Sequence, residues 1–360
     1  MKVLYVPSSN PGICYWRIEN FAQEMVTFSK RVSVNVEYFS DLMDFNMAWD
    51  DACVGKGELS IEIQKKLKNA FKFFDIIIFQ RLQNMPALAL IQELRKEFPT
   101  VKIVAELDDS VGEVAPSSPY KWKDHHRWSA EHIHKSDAVI TSTDYLAKSI
   151  KFITKDKPVH VAPNCIDKGT WLFTKKPKHK ENNEIRIGYV AGGAHDEDLR
   201  IIYTAMLPIL EEYKNVKFVI RYGGFNPPWL KKHPQIDYKG VGWFMSEYPQ
   251  KLADLNIDLA LAPLRDSEFN RCKSNVKWIE WSSLGVPLLA SDVEPYKHNK
   301  GSIKLVNNNP VSWLNAIEDF IEDGRLFELK DRDTLEKQNK KYYNLNKETK
   351  KLLGFLESLL

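Results

Sequence analysis

The sequence predicts an α/β protein built from two doubly wound units in tandem that face each other across a cleft. Three observations lead there. Short β-branched or aliphatic runs alternate with longer amphipathic stretches along most of the chain, the pattern of parallel strands covered on both faces by helices. The alternation stops at WLFTKKPKHKENNE (171–184) and then starts again. The length of 360 residues suits two domains of ordinary size.

Taken in order, KVLYV (2–6) reads as a strand that ends in the turn-rich PSSNPG, followed by a helix pattern from Trp16 to Phe28. VSVNVEYF is the second strand, and DIIIF (75–79), VKIVAEL (101–107), DAVITS (137–142) and VHVA (159–162) follow. Helix patterns such as 87–98 and 144–153 lie between them. The stretch 171–184, with Lys175, Lys176, Lys178, Lys180 and Pro177 and no apolar period after Phe173, reads as a linker. The second series is IRIGYV (185–190), helix 196–213, VKFVIRY (216–222), helix 246–254, DLALAPL (258–264), helix 273–284 and VPLLAS (286–291). The expected division is therefore 1–170, a linker 171–184, 185–330, and a C-terminal segment 331–360. That last segment reads as one Lys-rich helix packing back toward the N-terminal unit, with Tyr342, Leu345, Leu352, Leu353 and Phe355 on its apolar stripe.

Composition narrows the function classes. Apolar residues make up 43% and charged residues 28%, which is globular and excludes a disordered or collagen-like chain. Lys plus Arg is 51 against 48 Asp plus Glu, and that +3 is too small to argue for nucleic acid. No apolar run approaches the roughly 20 residues of a membrane span, so contact with a membrane would be peripheral. The opening MKVLYVPSSN does not read as a signal peptide. Cys14, Cys53, Cys165 and Cys272 are far apart, which points to a reduced, cytoplasmic protein without disulfides or structural zinc.

In doubly wound sheets ligands bind beyond the carboxyl ends of strands, so residues just after strands are the candidates. The strongest group lies in DSEFNRCKSNVKWIEWSSLGVPLLASD (266–292), where Lys273, Lys277 and Glu280 at i, i+4 and i+7 would share a helix face. A helix start at Lys273–Ser274 would offer amide donors, a hydroxyl and a positive charge to a diphosphate, with Arg271 nearby. Glu280 is spaced to accept hydrogen bonds from a ribose diol. Gly192 and Gly193 would let backbone approach phosphates closely, or simply form a tight turn. His195 either meets a donor phosphate or caps the following helix with Asp196, and Arg221 stands at a strand end beside the expected base site.

In the first unit, Glu106, Asp108 and Asp109 end one strand, and Arg81 follows another as either their partner or a ligand contact. After the first strand, Gly12 would let the donor approach the backbone closely, and Tyr15 and Arg17, with Arg81, lie on the expected acceptor side, while core packing is the simpler role for Trp16. KWKDHHRW (121–128) mixes bases and aromatics on a helix pattern and serves either as a solvated face or as an acceptor contact. His132 and His134 are spaced like metal ligands on a strand, but they lie on a helix pattern, where i and i+2 face apart, and read as surface histidines.

A helix carrying Glu280, followed by Gly285, Pro287 and a strand ending in Ala-Ser, resembles the donor segment of nucleotide-sugar glycosyltransferases of the GT-B fold, most of all family 4. PVHVAPNCID (158–167), SDAVITSTDYLAKSI (136–150) and IGYVAGGAHDEDL (187–199) are similar to further segments of that family, in the same order. The resemblance implies two Rossmann-like domains and a nucleoside-diphosphate sugar as co-substrate, with no metal or other cofactor. It also implies retention of anomeric configuration, and matches Asp108, with Asp109 beside it, to the family's catalytic strand-end residue. Lys273 is the candidate for steadying the departing diphosphate.

Two departures stand out. The acid usually eight residues before Glu280 is Cys272, with Glu268 or Asp266 as stand-ins, and the turn after IRIGYV lacks the family's Arg and Lys. The expected acceptor is a glycan or lipid-linked glycan. ELDDS, FQR and FNRCKS are similar to phage glycosyltransferases, which keeps a modified DNA base open. A module of the same fold that binds nucleotide or glycan without catalysis is the alternative.

Overall fold

The computed structural model describes residues 1–8, 11–28, 32–37, 59–82, 85–112, 125–172, 174, 183–192, 195–223, 227–230, 232–323 and 332–360. Two parallel six-stranded sheets form the framework. The first has the order β2 (Ser33–Val36), β1 (Lys2–Val6), β3 (Ile76–Gln80), β4 (Lys102–Leu107), β5 (Ala138–Thr141) and β6 (Val159–Val161). The second has β12 (Lys304–Val306), β11 (Leu288–Ser291), β10 (Leu259–Ala262), β7 (Ile185–Ala191), β8 (Val216–Tyr222) and β9 (Ile236–Gly240). The central strands are apolar on both sides, as in β3 and β10, where every residue is buried. β9 and β12 were not expected from the sequence: β9 mixes Asp237 and Lys239 with its apolar residues, and β12 has three residues.

Helices cover both faces. The first unit carries α1 (Pro11–Cys14), a π-wound turn Tyr15–Glu19, α2 (Asn20–Met25), α3 (Ile61–Phe73), α4 (Met85–Glu97), α5 (His125–Lys135), α6 (Asp144–Ser149), α7 (Lys151–Thr154) and α8 (Lys168–Leu172). The second carries α9 (Asp196–Glu212), α10 (Tyr248–Asp254), α11 (Glu268–Arg271), α12 (Val276–Ser283) and α13 (Pro310–Asp323). Caps set several starts: Ser60 Oγ accepts from Ile63 N at 3.3 Å, and Thr143 Oγ1 from Leu146 N at 3.1 Å.

The C-terminal segment is two helices, α14 (Arg332–Tyr342) and α15 (Leu345–Glu357), where one was expected. Asn344 explains the break, because its side chain accepts from Lys347 N at 3.0 Å and starts a new helix. α15 lies along α2, with Asn346 Nδ2 donating to Glu24 Oε1 at 2.9 Å.

The strand orders locate the crevices. In the first sheet the winding direction reverses between β1 and β3, in the second between β7 and β10. One apolar cluster joins the units: Tyr5, Ile78 and Trp16 belong to it together with Trp171, Leu252, Trp278, Trp281, Leu352 and Leu356. Trp16 is thus a core residue. Trp278 anchors α12 from behind, donating Nε1 to Ser302 O at 2.9 Å and lying 5.4 Å from the Tyr343 ring. A Cβ on Gly301 would fall 1.9 Å from Trp278 Cζ2, so the indole requires glycine there.

His132 departs from its expected surface place: it is 1% exposed, and both ring nitrogens lack a partner among the described residues. Burial holds its imidazole at about 3, below the ordinary 6.5. Between those values the unfolded chain binds more protons than the folded one, so stability falls as pH drops through that window.

Two outcomes follow. Gly301→Ala should lower stability by about 1–3 kcal/mol in urea unfolding, because the indole must shift. His132→Leu should raise stability more at pH 5 than at pH 7.5; a gain independent of pH would contradict the buried neutral imidazole.

Candidate active site

At the switch point of the first sheet, β3 ends in Gln80 and the chain turns through Arg81, whose φ of 47° lies in the left-handed region. Its guanidinium binds Asp108 and Asp109 just beyond β4, with Nη2 to Asp109 Oδ2 at 2.5 Å. Of the two roles open to Arg81, carboxylate partner is the one seen. The two acids then diverge. Burial raises Asp108, with Arg81 opposing and the Asp109 charge adding to the rise. Burial also pushes Asp109 up, but Lys273 and Arg81 outweigh it and hold the carboxyl at about 2. Asp108 is therefore the better proton acceptor of the pair.

Tyr15 and Arg17 are not exposed to a cleft. Arg17, in the π-wound turn, is 2% exposed; Nε meets Glu106 Oε1 at 2.7 Å, and Nη1 donates to Ala162 O and to Asn164 Oδ1 at 2.9 Å. Asn164 Nδ2 donates in turn to Ser274 Oγ at 2.7 Å, which carries the network from the first unit into the second. Gln80 Nε2 completes Glu106 at 3.0 Å and its Oε1 accepts from Ser8 N at 2.9 Å. Tyr15 donates its hydroxyl to Asp167 and accepts from Trp171 Nε1 at 3.0 Å, and burial raises its pKa. Both residues are scaffold rather than acceptor contacts. Gly12 lies on α1, just after the β1 loop.

On the second sheet the helix begins later than expected. α11 ends at Arg271, and α12 starts at Val276, so Lys273 and Ser274 precede the helix and Lys273 does not share its face with Lys277 and Glu280. Asn275, at the N-cap, makes no capping bond; its carboxamide donates to Asn299 and the Tyr343 hydroxyl instead. Lys273 Nζ lies 3.9 Å from Asp109 Oδ1 across the units and 4.6 Å from the Phe269 ring. Lys277 reaches back to β7 and donates to the Val190 carbonyl, over the Tyr189 ring. Burial raises Glu280 to about 7 despite the Lys277 charge and a hydrogen bond from the Tyr248 hydroxyl.

Beside β7, a Cβ on Gly192 would meet open space, and Gly193 lies outside the described residues. His195 Nδ1 and Asp198 Oδ2 are 2.7 Å apart, and Asp198 Oδ1 accepts from Arg265 N at 2.7 Å. Burial lowers His195 to about 4, with Lys273 and Lys277 adding to the fall. The neutral ring donates its Nδ1–H to Asp198 Oδ2, leaving Nε2 as an acceptor that suits a hydroxyl better than a phosphate oxygen.

Two expected donor contacts are occupied elsewhere. Arg221 is turned to β9, with Nη1 on Asp237 O at 2.9 Å and Nη2 on Asp237 Oδ2 at 2.8 Å. Arg271 forms an exposed two-point pair with Asp266 at 2.6 and 2.9 Å. Glu268 accepts from the Tyr145 hydroxyl at 2.8 Å. Cys272 is fully buried in the apolar cluster of Leu107, Leu146 and Ile150 of the first unit, and Thr143 Oγ1 donates to its carbonyl at 3.2 Å. Among the described residues no group of three or more His, Cys, Asp or Glu could hold a metal ion. Nor is any described helix long and apolar enough to cross a membrane.

Neither a protein-family model nor a curated protein matches the sequence. Solved structures do match over the full length. HepE from Anabaena in complex with UDP-glucose is 11% identical, with 99% of this chain and 100% of that chain covered and a TM-score of 0.66. The OtsA apo structure, also 11% identical, covers 100% and 99% at a TM-score of 0.66. The UDP-GlcNAc 2-epimerase from Neisseria meningitidis bound to UDP-GlcNAc is 15% identical, covers 99% and 100%, and has a TM-score of 0.55.

The fold is GT-B.

In GT-B terms, the loops beyond the two sheets meet, and the contacts that cross between the units include Asn164–Ser274, Thr143–Cys272, Ser149–Cys272, Tyr145–Glu268 and Asp109–Lys273. Sequence reasoning missed Glu106 as the partner of Arg17, and Asn164, Asp198 and Tyr248 as direct supports of the candidate residues. Only Asn164 had a sequence signal, its place at the centre of PVHVAPNCID. Arg17→Met leaves Glu106 buried without its cation and should cost about 3–5 kcal/mol by chemical denaturation. A loss below about 1 kcal/mol would show that Arg17 is not the support described.

Proposed function

We propose that this chain is a glycosyltransferase of the family-4 kind, moving a sugar from a nucleoside-diphosphate sugar to a hydroxyl acceptor without a metal and with retention. The observation that carries the reading is the meeting of opposite chemistries at the two GT-B switch points: Lys273, Lys277 and Glu280 on one side, Asp108 and Asp109 held by Arg81 on the other. The family resemblance of the donor segment and the GT-B fold support it. HepE, of the same fold, was solved with UDP-glucose.

In this reading the diphosphate lies at the approach to α12, against Lys273 and Ser274, with the open side of Gly192 beside it. The ribose diol donates to Glu280, which Tyr248 holds by a hydrogen bond. Catalysis is chiefly electrostatic: cations stabilise the departing diphosphate while the sugar gains oxocarbenium character. With retention the leaving phosphate itself helps take the acceptor proton. In an inverting reaction that task falls to Asp108, whose raised pKa suits a base. The neutral His195 is placed to bind a sugar hydroxyl. A glycan or lipid-linked glycan is the proposed acceptor and the cytoplasm the proposed location.

One observation favours a second reading, a GT-B module that binds its ligand without turnover. The position of the family's first acid is Cys272, sealed in an apolar cluster, and Glu268 and Asp266 are engaged by Tyr145 and Arg271. Turnover separates the two.

Thermal-shift screening against UDP-, GDP-, dTDP- and ADP-sugars should reveal one nucleotide that raises the melting temperature. For that donor, Glu280→Ala and Lys273→Ala should each weaken binding about 10- to 100-fold without unfolding the chain. Asp108→Asn should keep binding and lower turnover. Unchanged donor affinity in both of the first two variants would contradict the site.

A further inference from the structure

We infer that Lys277 is a second cation, beside Lys273, that grips the diphosphate directly, delivered from α12 to the end of β7, whose own turn carries no base. The inference deepens the donor-site reading above and rests on it. The turn Ala191–His195 contains no Lys or Arg. Lys277 reaches the same place from another element: its ammonium donates to the carbonyl of Val190, one residue from the end of β7, at the switch point with β10.

Its surroundings are those of a cation awaiting an anion. Of the six bases considered at the strand ends, Arg17, Arg81, Arg221, Arg271 and Lys273 each have a carboxylate within 4.0 Å, whereas Lys277 has none among the described residues. A carbonyl and the Tyr189 ring, 5.5 Å from Nζ to its centroid, are what it has. An ammonium largely out of water with no carboxylate in contact is costly, and a phosphate oxygen offsets that cost better than a carbonyl does. Room exists beside it, on the open side of Gly192.

The groups facing Lys277 define how it titrates. Glu280 on α12 and Asp198 on α9 favour its charge, and Lys273 opposes it, but burial dominates and lowers it to about 8. Above that pH the others are steady. Glu280, half ionised at about 7, is largely ionised above 8; Asp109, with its midpoint at about 2, is ionised, and His195, with its midpoint at about 4, is neutral. The hydroxyls of Tyr189 and Tyr248 are raised well above their ordinary range and stay protonated. An empty site thus loses its cation as pH rises through about 8, and the loss falls on anion binding.

The test is calorimetric titration of the full chain with UDP, GDP and ADP and with the matching nucleosides, from pH 7 to pH 9.5. For the nucleotide that binds, affinity relative to that of its matching nucleoside should be level near pH 7 and weaken about tenfold per unit above pH 8. Lys277→Met should weaken diphosphate binding about 10- to 100-fold at pH 7, leave nucleoside binding unchanged and abolish the alkaline fall. Lys277→Arg should restore most of the affinity and hold it at pH 9.5. Diphosphate binding by the unaltered chain that is level to pH 9.5, or undiminished in Lys277→Met, overturns the role of Lys277 and leaves the donor site standing. No binding of any nucleoside diphosphate by the unaltered chain overturns both. Should Lys277→Met fail to fold, the pH profile of the unaltered chain decides.

Discussion

The buried guanidinium of Arg17 is the constraint on which the rest of the arrangement depends. Its side chain is 1% exposed, and the cost of burying its charge is offset by the Glu106 carboxylate on Nε and by a backbone and a carboxamide oxygen on Nη1. Those partners come from β4 and from the segment after β6, and they pin the π-wound turn to both. Asn164 passes the constraint on by donating to Ser274, which sits just before α12. The position of the approach to the second unit's principal helix is thus referred to an ion pair inside the first unit. Nη2 of Arg17 has no partner among the described residues, which makes the network sensitive to any loss of the bonds it does make.

Around this scaffold, charge is distributed unequally. The first unit pairs its strand-end acids internally, since Arg81 grips both Asp108 and Asp109, and Lys273 of the second unit stands 3.9 Å from Asp109. The second leaves Lys277 with a carbonyl and Glu280 with a tyrosine hydroxyl. Burial then drives their pKa values toward one another, to about 8 and about 7, so both stand near the neutral point. Two perturbed groups of opposite charge at a switch point are the basis of the proposed donor site.

The contact at Cys272 changes how the two units meet. The buried Cys272 thiol packs into the first unit's core, and Thr143, Tyr145 and Ser149 close around the 268–272 segment. An apolar cluster shared through Trp171, Trp278 and α15 adds to that contact. Large apolar interfaces restrain relative motion of domains.

Strand and helix alternation was legible without coordinates, because burial on two faces demands continuous apolar runs such as IIIF and LALA, and helices demand a period near 3.6. Lys273, Lys277, Glu280, Asp108 and Asp109 were also legible as candidates, since residues that follow buried strands must lie at one end of a sheet. What the linear order could not reveal was partnership. Arg17 with Glu106, Arg221 with Asp237 and Cys272 with the first unit's core are contacts between positions distant in the chain. Nor could spacing tell that α12 begins at Val276, because Asn275 turns its side chain to Asn299 and Tyr343 and the helix is held by Trp278 instead. Periodicity is a local property of the chain. The pairing of buried charges is settled by which strands neighbour which, and only the folded sheets decide that.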